Sequence, residues 1–165
     1  MSKYYFFPKI PLHVCTPANA ERYLKIDGWL EQTVALRNDP KFPDSYLLKS
    51  LKKEGQLDPL LVKLNTGHRD KPDEWNKLKW IVEPGQGRWY CLTYLGIDHT
   101  FVLVKVDEDE ASEFAFKRDL QKYKHKEIKT FKECLPLFKM TNENSHTGPG
   151  YLKRRGWFVE TGYDI

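Results

Sequence analysis

Between an apolar run and a segment of helical period the chain reads Glu83-Pro84-Gly85-Gln86-Gly87-Arg88. Two glycines, an amide and a guanidinium at a strand-to-helix junction are the residue types of an anion cradle. The first backbone N–H groups of a helix have no intrahelical acceptor, and the helix dipole favours negative charge at that end. Glycine lets an oxyanion approach the backbone with no Cβ in the way. Arg88, inside the first turn, would add a charge-assisted hydrogen bond. The same residues also suit a plain turn with a surface arginine, because Gly-x-Gly-Arg is short and common.

The elements that must position this junction follow from local pattern. Lys79 to Pro84 reads as a strand, and Arg88 to Leu95 as a helix with Trp89, Leu92 and Leu95 inward. Gly96 stands where a left-handed helix stop belongs, with apolar Ile97 after it. Upstream, Ser45 to Gly55 is a short helix with Leu47, Leu48 and Leu51 on one face. Asp58 to Asn65 is a buried strand, and Thr66 to Lys79 a polar loop in which His68-Arg69-Asp70 reads as solvated. Downstream, Thr100 to Val106 is a strand rich in branched residues. Asp107, with Glu110 three residues on, forms a capping-box start for a helix running to Lys124. At the N-terminus, Tyr4 to Val14 reads as an extended, Pro-interrupted edge segment. Thr16 to Asn38 follows as a helix capped by Thr16 with Pro17 at its first position, weakened by Gly28. Asp39 to Asp44 is loop, and after Pro136 the periodic signal fades into another loop, Lys139 to Gly150. The fold class is α+β, a small mixed sheet flanked by helices.

At 165 residues the chain is long enough for one domain with a sizeable core. No apolar run approaches a membrane span, and the Pro-interrupted start reads as mature protein rather than a signal peptide. Cys15, Cys91 and Cys134 are odd in number and far apart, which speaks against disulfides or zinc and for a reducing cytoplasm. The five histidines show no ligand spacing. Ser145, His146 and Thr147 are adjacent in a loop, whereas a catalytic triad is built from groups distant in sequence. Net charge is only +4. Basic residues nonetheless crowd Lys117 to Lys139, and Lys153, Arg154 and Arg155 follow, while acids gather at Asp107 to Glu110.

Two stretches resemble the ParB/sulfiredoxin superfamily. Ser50 to Val62, SLKKEGQLDPLLV, resembles its first box, and IVEPGQGRWYCLTYLGI its second, with Gly85, Arg88, Trp89, Gly96 and Ile97 in register without a gap. Glu110 to Lys122 lies where the family carries a helix with Glu-Asn-x-Gln-Arg. In that register Arg118, Asp119, Gln121 and Lys122 take the Glu, Asn, Gln and Arg places. The likeness spans roughly residues 42–122 of a single domain, leaving 1–41 and 123–165 as unassigned extensions.

The resemblance implies a ParB/sulfiredoxin-like fold and a pocket for CTP or ATP with Mg2+. Gly85, Gln86, Gly87 and Arg88 would face the phosphates, Gln121 and Lys122 would approach from the other side, and Asp119 would be an oxygen ligand suited to the metal. NTP hydrolysis or phosphoryl transfer would be the associated chemistry. Three departures narrow this. The first arginine of the family's turn is Gly87 here, and the glutamate of the third box is Arg118, which argues against metal binding and turnover. Gln86 replaces sulfiredoxin's cysteine, excluding that activity, and Cys91 falls one turn too late and reads as core. One alternative is a nucleic-acid-binding or ParB-like nuclease protein. A basic helix carrying Lys124 and Lys126, with Lys153, Arg154 and Arg155, would contact a phosphate backbone of DNA or RNA. Another is a fold that lost its ligand and serves as a module for a protein partner, by analogy with compact domains of phages and mobile elements.

Overall fold

The computed structural model describes residues 2–18, 28–37, 47–140 and 148–158. Six strands form one mixed sheet: β1 (Lys3–Pro11), β2 (Cys15–Pro17), β3 (Leu60–Leu64), β4 (Trp80–Val82), β5 (His99–Val106) and β6 (Lys126–Ile128). Their spatial order is β2-β4-β3-β5-β1-β6. β3 runs parallel to β5 and antiparallel to β4, while β2 pairs with β4 in parallel. The helices are α1 (Trp29–Arg37), α2 (Leu47–Glu54), α3 (Gln86–Tyr94), α4 (Glu110–Asp119), α5 (Phe131–Cys134) and α6 (Pro149–Arg154). The fold is α+β.

The two central strands read as nearly continuous hydrophobic runs because both faces of the sheet are covered. Strand alternation sends Leu60, Val62, Leu64, Val102, Val104 and Val106 to one face, where Val34, Leu51, Trp89, Leu92 and Ala115 from the helices meet them. It sends Leu61 and Leu103 to the other, against Phe131, Cys134, Phe138, Leu152 and Trp157. The aromatic ends of the chain meet on this second face. Tyr4 stacks on Phe158 with ring centroids 3.9 Å apart. The lack of period after Pro136 thus reflects a covering segment whose burial is set by the sheet beneath it.

Four local expectations are corrected. The N-terminal segment is not an edge: Tyr4 to Phe6 pair with β5 on one side and β6 on the other. Pro8 falls in the register shift between Phe7 and Ile10, where a missing N–H breaks no ladder bond. Thr16 does not cap a helix but pairs with Ile81 inside β2, because partnership with β4 outweighs a local cap signal. Residues 19–27 and 38–46 of the expected helix and loop lie outside the described residues. The cap of α4 is Asp109, whose carboxylate accepts the Ser112 N–H at 2.7 Å, and Asp107 is engaged elsewhere. Finally, that helix ends at Asp119, and the basic segment leaves it to become β6 against β1.

The loop after β3 is not solvated at Arg69. Its guanidinium donates to Asp107 at 2.7 Å, Asp109 at 3.1 Å and the Leu64 carbonyl at 3.2 Å, fastening the loop to the start of α4. Burial alone would raise the Asp107 carboxyl, but hydrogen bonds from Arg69 and Ser2 outweigh it and hold the group below the usual carboxylate range. A carboxyl lowered in the folded state contributes stability above its unfolded value, about 3.9, and loses it as pH falls through the lower folded value. Arg69→Met is therefore expected to cost about 1–2 kcal/mol at neutral pH and to flatten the loss of stability as pH falls below about 4. Urea melts of both chains across that window check it. Parallel curves would show that Arg69 does not set the charge of Asp107.

Candidate functional site: the Gly85 turn

β4 buries Trp80 and Val82 and hands the chain to the turn. The Glu83 N–H still donates to the Leu61 carbonyl at 3.1 Å, and the Glu83–Pro84 peptide is cis. Gly85 then takes φ 97° and ψ 16°, a left-handed conformation that a side chain would strain, and becomes the N-cap of α3. The N–H groups of Arg88 and Trp89 converge on its carbonyl at 3.1 and 3.3 Å. Those of Gln86 and Gly87, at the first helical positions, have no intrahelical acceptor by geometry. Gly85 and Gln86 are half-buried, whereas Gly87 is buried and Arg88 is only 7% exposed. Lys63 and Glu83 pair at 3.6 Å beside the turn, bringing in a second cation that no motif announced.

The rest of α3 anchors the turn. Trp89 is buried, and its indole Nε1 donates to the Cys15 carbonyl at 2.9 Å. Leu92 is buried and Leu95 packs against the same core, as the helical period required. Gly96, at φ 74°, ends the helix in a Schellman arrangement: the Ile97 N–H reaches the Leu92 carbonyl and the Gly96 N–H that of Thr93, both at 3.0 Å. Cys91 is fully buried beside these residues. Burial pushes the thiols of Cys15 and Cys134 up to about 12, far from thiolate chemistry.

The residues of the third box lie elsewhere. Arg118 donates to the Trp75 carbonyl at 2.8 Å and the Leu78 carbonyl at 2.6 Å, and grips both Asp119 oxygens at 2.9 and 2.7 Å. Leu78 precedes β4 and Gly85 follows it, so Arg118 and Asp119 stand at one end of that strand and the glycine turn at the other. Lys122 is exposed near Asp119, in a cleft that none of Gly85 to Arg88 lines. Gln121 lines a separate acidic hollow with Asp107, Glu110 and Glu113. Among the described residues no group of three or more His, Cys, Asp or Glu is placed to hold a metal ion. The basic residues do not share one helix. Lys124 and Lys126 lie on the way into β6 and in it, Lys153 and Arg154 are exposed on α6, and Arg155 covers the Tyr151 ring at 5.6 Å. Among the described residues no helix is long and apolar enough to cross a membrane.

No family model matches the chain, and no curated protein does. Among solved structures, the C-terminally truncated chromosome-partitioning protein ParB from Caulobacter crescentus, complexed with CTP-γ-S, aligns with 91% of this chain and 71% of its own. Sequence identity there is 16% and the TM-score 0.34, a level that does not by itself equate two folds.

Proposed function

We propose that the chain binds a nucleoside triphosphate, CTP or ATP, through the turn from Gly85 to Arg88. The observation that carries this is the left-handed Gly85 capping a nine-residue helix at the end of a strand, in the sequence context that resembles the family's second box. The N–H groups of Gln86 and Gly87 are the donors for phosphate oxygens, and Arg88 adds charge where burial keeps the local dielectric low. Mg2+ enters with the nucleotide's own phosphates. Asp119, Gln121 and Lys122 are not gathered around this turn, so the proposed activity is binding rather than phosphoryl transfer, which needs further cationic and metal-holding groups at the phosphates.

Isothermal titration with CTP, ATP and GTP, with and without Mg2+, tests it. Heat from CTP or ATP is expected. A folded sample that gives none with any of the three would overturn the nucleotide reading.

A further inference from the structure

The second sheet face is covered by β6, α5, the segment through Phe138, and α6, and this layer is apolar within and basic without. Ile128, Phe131, Cys134, Phe138, Leu152 and Trp157 turn inward onto Leu61 and Leu103. Interleaved with them, Lys126, Lys129, Lys132, Lys139 and Lys153 are exposed. None of these ammonium groups has an ion-pair partner among the described residues. The acids of the same segments do not offset them. Glu127 alternates with Lys126 and Ile128, so it lies on the opposite face of the sheet, in register with Tyr5. Glu133 turns back on the backbone, its Oε2 accepting the Lys129 N–H at 3.3 Å. Residues 148–158 carry no acid at all, and there Arg154 and Arg155 follow Lys153.

What the layer lacks selects the partner. Among the described residues the exposed large hydrophobic side chains are Tyr94, Ile97 and Phe114, and none of them belongs to it. A protein interface is anchored by aromatic and apolar side chains, and a membrane surface takes an inserted apolar face. Single strands stack on exposed aromatic rings, whereas Tyr151 is half-buried with the Arg155 guanidinium 5.6 Å from its ring centroid. A duplex backbone asks only for cations spread over a surface. We propose that the β6–α5–α6 layer binds the phosphate backbone of a nucleic-acid duplex without reading its sequence. The ammonium groups donate to phosphate oxygens and release condensed counterions. This surface lies on the sheet face opposite α3 and does not depend on the Gly85 turn.

The probes are a short random-sequence DNA duplex, its RNA counterpart and the matching DNA single strand, followed by fluorescence anisotropy with no nucleoside triphosphate present. Duplex affinity is expected to fall with salt at a log–log slope of about −0.9 per phosphate neutralised, and the tighter of the two duplexes names the source. The triple variant Lys129→Ala, Lys132→Ala, Lys153→Ala is expected to weaken binding about tenfold or more, the equivalent of at least one charge-assisted hydrogen bond. It should also flatten the slope by about 0.9 for each lysine that meets a phosphate. The control Lys49→Ala, Lys52→Ala, Lys53→Ala removes the same charge from α2, on the other face, and is expected to leave affinity and slope near wild type. All six positions are exposed, so a thermal melt should find both variants folded. No binding of either duplex overturns the proposal. Equal losses in the two triple variants overturn it as well, since net charge and not this layer would then be acting. So does a single strand that binds as tightly as the duplex, or polyglutamate that displaces the duplex as well as unlabelled duplex does.

Discussion

Gln86→Glu is expected to weaken nucleotide binding more than tenfold while leaving the fold at least as stable as before. The side chain stands at the first position of α3, half-buried, beside the N–H groups proposed to hold the phosphates. A carboxylate about 4 Å from a phosphate oxygen, at the effective dielectric of a protein surface, opposes binding by up to about 4 kcal/mol. Even half of that is a loss of more than tenfold in affinity. The same carboxylate at a helix N-terminus favours the helix dipole by about 0.3–1 kcal/mol. Affinity and stability should therefore move in opposite directions, which a merely structural disturbance does not produce. Arg88→Ala is the less informative change, because Arg88 is buried and its removal disturbs packing along with charge. Titration calorimetry on Gln86→Glu beside a thermal melt decides the matter. Wild-type affinity with an unchanged Tm would mean that no phosphate sits on this turn.

What was legible in the sequence is what local chemistry dictates. A left-handed helix stop calls for glycine, so Gly96 announced itself, and a 3.6-residue period placed Trp89, Leu92 and Leu95 inward, whereas the left-handed turn at Gly85 was not foreseen. Features that depend on distant partners were not legible. Thr16-Pro17 has the form of a helix start and became a strand because Ile81 pairs with it. Asp107 and Asp109 are equivalent as caps by type, and Arg69, reaching across from another loop, touches both, so the cap position is set by where the backbone turns into the helix and not by residue type. The segment after Asp119 is helix-forming by composition, yet β1 offers it an edge and takes Lys126 to Ile128. The site divides in the same way. The glycine turn is one continuous stretch and could be found. The cleft beside Asp119 draws His13, Leu78, Trp80, Lys122 and Tyr123 from separate segments, and no spacing connects them. The third box illustrates the converse hazard, since register in sequence did not bring Asp119 and Lys122 to the turn.

The largest effect on stability is expected from Asp58→Ala. Asp58 is fully buried just before β3, and its Oδ1 accepts the N–H groups of Lys139 and Met140, each at 3.0 Å. Its own carbonyl accepts from Gln56 Nε2 at 2.9 Å, and the same amide reaches the Phe101 carbonyl at 3.0 Å. The carboxylate is thus the clasp between the starts of the two central strands and the segment that covers the second face. Alanine would leave two N–H groups without their acceptor and remove a charge-assisted pair, at a cost of about 3 kcal/mol. For a chain of this size that corresponds to a fall in Tm of roughly 6–12 °C. Asp58→Asn keeps an acceptor oxygen facing the same two N–H groups. In place of Oδ2, which has no hydrogen-bond partner among the described residues, it puts an amide NH2 at the same buried position. It should therefore recover part of the lost stability, less the charge assistance and the cost of the unpaired NH2. Because the covering segment lies on the sheet face opposite α3, Asp58→Asn should also bind nucleotide as wild type does. A Tm for Asp58→Ala within a degree or two of wild type would mean that water satisfies Lys139 and Met140. The second face would then be held by Phe131, Phe138, Leu152 and Trp157 alone.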